Sequence, residues 1–145
     1  MLLDDVRSNY INIQIYYSYV EDEYGKRVVV VPNENAKELL KDENRKDEIL
    51  ILSTKWGQLN WEQENKIMNN VNKVDPMTGD IQFDIFQFRD SRIKSCLKEW
   101  NLKDDNNEII PVNDSNINKL PSDIVIALIN RYEEAIKVGQ DKMGK

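Results

Sequence analysis

Cys96 stands between Lys94 and Lys98 and is the only cysteine in the chain. Two ammonium groups so close in sequence could lower the pKa of a thiol and favour its reactive anion. A cysteine nucleophile also needs a base to take its proton, and the chain has no histidine. Cys96 therefore reads as a buried or half-buried structural residue. Two acidic clusters come next: Asp75, Asp80 and Asp84, then Asp104, Asp105 and Glu108. Either could be drawn around calcium, but neither has the spacing of a calcium loop, and the second lacks a glycine for the sharp turn. Solvated turns account for both. No G-x-x-x-x-G-K-[ST], G-x-G-x-x-G or G-x-S-x-G occurs. No catalytic residue, metal or cofactor is expected, and the chain reads as a non-enzyme.

Trp56, Trp61 and Trp100 are the side chains best suited to holding a partner. Trp56 lies on a W-G turn between strand and helix and is the one expected to be partly exposed. Trp61, just inside a helix start, reads as core or as a staple-like contact. Trp100 ends an amphipathic helix and should be buried against the final helix. All three are carried forward as candidate partner-binding residues.

The elements that position them follow from pattern. Tyr10 to Tyr16 alternates with Ile11, Ile13 and Ile15, E-D-E-Y-G supplies a turn, and Lys26 to Val31 returns, which makes a β-hairpin stopped at Pro32. Residues 34–44 form a short polar surface helix, and 48–54 a strand rich in branched residues. Asn60 and Gln63 form a capping box ahead of a helix through Val74, with Trp61, Glu64, Met68 and Val71 near one face. D-P-M-T-G-D is a loop. A longer helix is expected from about Phe83 to Trp100, with Phe86, Ile93, Leu97 and Trp100 as its apolar stripe. Asn113 or Ser115 caps a short turn, and Pro121 opens a last helix on which Ile124, Leu128, Tyr132 and Ile136 recur every four residues. The fold class is α+β: a small N-terminal antiparallel sheet, hairpin plus one strand, packed against about four α-helices.

The 145 residues suit a single domain, with a β-rich part over 1–58, a helical part over 59–138 and a fraying tail over 139–145. The net charge of -6 argues against nucleic acid or an anionic membrane as partner, since both require a basic footprint. A lone cysteine suits a reducing compartment. The opening M-L-L-D-D-V-R lacks the basic and apolar regions of a signal peptide, and no apolar run is long enough to span a bilayer.

The order of parts after residue 48 resembles the tail assembly chaperone-like proteins of long-tailed bacteriophages (siphophages). The matching residues are Arg92, Leu97, Trp100-Asn101-Leu102, the acidic turn at Asp104-Asp105, Pro111-Val112 and Leu120-Pro121. D-P-M-T-G-D-I-Q-F-D is similar to a stretch of the same group, and W-G-Q-L-N-W-E-Q-E to its segment before the first main helix. Asn106-Asn107 stands where a glycine is usual, and asparagine tolerates the left-handed region that such a turn requires. The resemblance covers roughly residues 48–138 and implies a protein that binds the tape measure protein and recruits tail-tube protein in the host cytoplasm during assembly. The alternative is a structural virion component, a connector or tail protein, whose hairpin augments a neighbour's sheet.

Overall fold

The computed structural model describes residues 9–144. The leader reading of the first seven residues falls outside them. Two β-sheets and five α-helices make up the described chain, an α+β fold.

β1 (Ile11–Asp22) and β2 (Gly25–Val31) form the hairpin, and β3 (Leu50–Trp56) pairs antiparallel with the other side of β1. The hairpin turn closes because Gly25 takes φ 108°, and the backbone N–H of Tyr24 donates to Asp22 Oδ1. Between β2 and β3 the chain makes α1 (Asn33–Leu40) and a 3-10 turn at Lys46–Glu48. Period-2 alternation sends Ile13, Ile15, Leu52 and Trp56 to the core face, while Asn12, Gln14, Ser53 and Lys55 take the other.

α2 (Trp61–Val71) opens on the capping box seen in the sequence: Gln63 N donates to Asn60 Oδ1 at 2.9 Å and Asn60 N to Gln63 Oε1 at 3.1 Å. It stops three residues short of Val74. β4 (Asn72–Val74) instead pairs with β5 (Ile81–Phe83) in a separate two-stranded ribbon. The expected loop is the cause. Asp75 N donates to Asp80 O, Gly79 N to Asp75 O and Met77 N to Asp75 Oδ1, each at 2.8 Å, with Gly79 at φ 74°. Closing that turn sets residues 72–74 opposite 81–83.

The longer helix also differs. α3 runs Ile85–Cys96, and Leu97–Trp100 leaves it as β6, the fourth strand of the main sheet in the order β2-β1-β3-β6. The free edge of β3 decides this. Gly57 N donates to Cys96 O at 2.7 Å, and a register shift at Lys55/Trp56 lets both Leu97 and Trp100 face the core. The next residue extends the pairing with its side chain: Asn101 accepts from Ser53 N and donates to Ile51 O, both at 3.0 Å. Sheet pairing here overrides helix propensity, which is a weak preference.

Asn113 caps the short α4 (Asp114–Ile117), accepting from Asn116 N. Pro121 sits at the cap and not at the first helical position of α5 (Ser122–Met143). That helix continues beyond Val138, where fraying was expected, although residues 139–143 are exposed. It packs against β1, β2 and α3, and its Ile124, Leu128, Ile129 and Tyr132 complete the core with Ile93, Cys96 and Ile117.

Asp84 starts α3 by accepting from the backbone N–H groups of Gln87 and Phe86, both at 3.1 Å, with Lys73 Nζ 3.6 Å from its other oxygen. The Gln87 amide is the largest cause holding this carboxyl below its usual value, with the Lys73 charge and the Phe86 amide adding to it. A carboxylate whose pKa is depressed on folding contributes stability above its unfolded pKa, about 3.9, and loses it as pH falls through the folded value. Asp84→Asn keeps a cap but has no titration. Wild type should therefore melt higher than Asp84→Asn at neutral pH, and the gap should close as pH is lowered through the carboxylate range. A gap that is constant with pH in calorimetric melts would show that the charge of Asp84 does not stabilise α3.

Candidate interaction surface

Cys96 is 1% exposed, and burial pushes its thiol pKa up, with Arg92 and Lys98 opposing. The expected lowering by flanking lysines loses to desolvation, and the nearby cations that act are Arg92 and Lys98, not Lys94. Lys94 instead bridges Asp90 at 2.8 Å. Among the described residues no three His, Cys, Asp or Glu side chains are grouped to hold a metal ion. The acidic residues cap backbone: Asp75 and Asp84 as above, and Asp104 by accepting from Asn106 N and Glu108 N.

Trp56 and Trp61 have exchanged roles, and Trp100 is buried as expected. Trp56, expected to be partly exposed, is fully buried at 0%. It stacks on Tyr132 with ring centroids 4.7 Å apart, and its indole donates to Thr54 Oγ1 at 2.7 Å. The alternation Leu52, Thr54, Trp56, continued two residues beyond the expected strand end at 54, would have found this. Trp61, expected in the core or as a staple-like contact, is 79% exposed. It lies about 100° round the helix from the buried Ile67–Val71 side, at 100° per residue. Trp100 is buried, but on β6 and not at a helix end, and its indole donates to Ile110 O at 2.6 Å.

That bond is part of a single unit built from the residues that carry the resemblance. Ile110 N donates back to Leu102 O, and Lys103 bridges Ile109. The acidic turn between them closes with Asn107 at φ 65°, so an asparagine does take the left-handed place. Asn116 Nδ2 then ties Pro111 O to α4, which leads into α5. These residues form scaffold that fastens the last helix to the sheet edge. Beside them, a cleft of about 580 Å³ is lined by Asn12, Gln14, Ser53, the Lys55–Glu99 ion pair and an Ile109–Val112 wall. Its floor is the polar, solvated side of the sheet.

Exposed apolar side chains gather elsewhere, between Val74 and Phe86: Val74, Met77, Ile81, Phe83, Ile85 and Phe86. Of the stripe expected on one long helix, only Phe86 and Ile93 lie on α3, where they share a face, and of these two only Ile93 is covered. Ile93 is 1% exposed and Phe86 76%. Phe86 and Ile93 line one wall of a groove of about 340 Å³, with Ile117, Leu120, Val125 and Ile126 opposite and Arg89 at the rim. Sequence reasoning missed this surface because it assigned Phe83 and Phe86 to the core. The signal available was the flanking D-P-M-T-G-D turn, which carries the chain away from the helices. No protein family, curated protein or solved structure matches this chain.

Trp56 and Trp61 offer a paired test of this geometry. Trp56→Ala should cost about 3–5 kcal/mol of unfolding free energy, as for large core truncations. Trp61→Ala should stay within about 0.5 kcal/mol, as for exposed positions. Urea unfolding of both variants checks the contrast, and equal costs would contradict the placement of both rings.

Proposed function

We propose that the protein is a bacteriophage tail assembly chaperone that holds an apolar helix of the tape measure protein and brings tail-tube protein to it in the host cytoplasm. The observation that carries this reading is the exposed apolar run from Val74 to Phe86. It overlaps D-P-M-T-G-D-I-Q-F-D, one of the segments in which the chain resembles that family. Holding a helix requires no active site. It requires an apolar groove between helices, which the α3/α5 groove supplies. Large exposed apolar surface on a soluble chain marks an interaction site. No described helix is long and apolar enough to cross a membrane.

Apolar burial should dominate such binding, so the complex should survive a rise in salt from about 0.1 to 1 M, over which the Debye length falls from about 10 to 3 Å. The test is co-expression with a phage tape measure protein, followed by pull-down at both salts. The tape measure should be soluble and captured with wild type, and lost with Met77→Asp or Phe86→Asp, both at exposed positions. A tape measure that is equally soluble without this protein would overturn the chaperone reading. Stoichiometric copies in purified virions, read by mass spectrometry, would make the chain a connector or tail component instead.

A further inference from the structure

β2 ends the main sheet, with β1 as its only paired neighbour. On its outer side no backbone group of residues 26–31 has a backbone partner among the described residues. The strand carries Val28 to Val31 in succession, and no bulge interrupts its register with β1. Val29 is 37% exposed. An edge of this length and composition is a template for another strand unless something blunts it. Here the charges sit only at the ends: Lys26 and Arg27 before the valines, Glu34 just after Pro32.

We propose that β2 pairs antiparallel with β2 of a second copy of this chain, about a two-fold axis through Val29, so that two four-stranded sheets become one of eight. Charge complementarity selects the occupant and the direction. Antiparallel pairing brings the basic end of each strand to the acidic end of the other, whereas parallel pairing would stack Lys26 and Arg27 on their own kind. Centred on Val29, Val31 faces Arg27 of the second copy, and Lys26 reaches the end of the other strand, just beyond which Glu34 stands in the first turn of α1. Arg27 is already held by its own Asp22 at 2.8 Å. Lys26 and Glu34 have no ion-pair partner among the described residues. A two-fold axis perpendicular to the sheet keeps both α5-covered faces on one side, so the axis must pass through a residue. Centring it on Val28 would set Lys26 opposite Val30, two positions further from the strand end and Glu34, and centring it on Val30 would leave only residues 29–31 of the two strands paired. The proposal does not depend on which tail protein fills the groove.

The axis makes a sharp test, because Val29 would face itself. Val29→Lys and Val29→Glu each place like charges opposite one another, so each variant alone should be monomeric. An equimolar mixture should restore the dimer through Lys–Glu pairs, which also shows that both variants fold. Light scattering behind size exclusion should give wild type twice the 17.1 kDa chain mass, each variant one chain mass, and the mixture twice again. A wild type of one chain mass at the highest soluble concentration would overturn the proposal. So would variants that stay dimeric, since another surface would then hold the copies together, or a mixture that stays monomeric. A dimer from Val29→Glu alone would place residue 29 against Arg27 and overturn the register.

Discussion

The stack of Trp56 on Tyr132 is the contact on which the other elements depend. Trp56 comes from β3 and Tyr132 from α5, and both are buried. Each has a polar atom that must be satisfied there, because an unpartnered buried group costs about 1–3 kcal/mol. Tyr132 donates its hydroxyl to Gly57 O at 3.0 Å. The Trp56 indole donates to Thr54 Oγ1, which in turn donates to Ile13 O at 2.7 Å. One chain of hydrogen bonds therefore binds α5 to the end of β3, and β3 to β1. The backbone N–H of Gly57 extends it to Cys96 O, where α3 turns into β6. A Cβ at position 57, where these elements converge, would stand 3.1 Å from Lys98 Cε, the far end of an exposed and flexible side chain that can shift aside.

That convergence also determines where the core ends. α5 can cover the sheet and the second half of α3, but Tyr132 fixes its position along α3. The first half of α3 and the β4–β5 ribbon therefore lie beyond its reach. An isolated two-stranded ribbon is marginal in water. This one is held by its tight turn and by the bond from Asp84 N to Val71 O that ties it to α2. The apolar residues it carries are thus left exposed by the geometry of the core and not by an excess of hydrophobic sequence. The net charge of -6 keeps such a surface in solution.

How much of this the sequence revealed depended on the range of the forces involved. The hairpin, the Asn60–Gln63 capping box and the four-residue repeat of α5 were legible because each is local, set by turn chemistry, a cap or a single period. β6 was not. Ile93, Leu97 and Trp100 fit a helical stripe as well as they fit a helix followed by a bulged strand, and only the open edge of β3, some 40 residues away by sequence, tips the balance. The burial of Trp56 was legible from strand alternation but was masked by the adjacent glycine. The exposure of Trp61 followed from its angle to Ile67 and Val71. The exposed run at residues 74–86 was signalled only by the D-P-M-T-G-D turn, since Phe86 fits the stripe of a core helix and a stripe says nothing of what lies opposite.

The two surfaces without partners differ in kind. The groove between α3 and α5 offers mostly apolar side chains, so it suits an apolar helix. The β2 edge offers backbone donors and acceptors, so it suits an extended strand, with end charges choosing direction. They share no residue: the strand and its charges lie within residues 25–34, the groove within 86–126. Pairing through β2 leaves both grooves open. A dimer would then hold a long, repetitive helical partner at two points, and the second contact would form at the effective concentration set by the first. On the proposed function, modest apolar grooves would in that way retain a long helix firmly, yet each could release its turn separately.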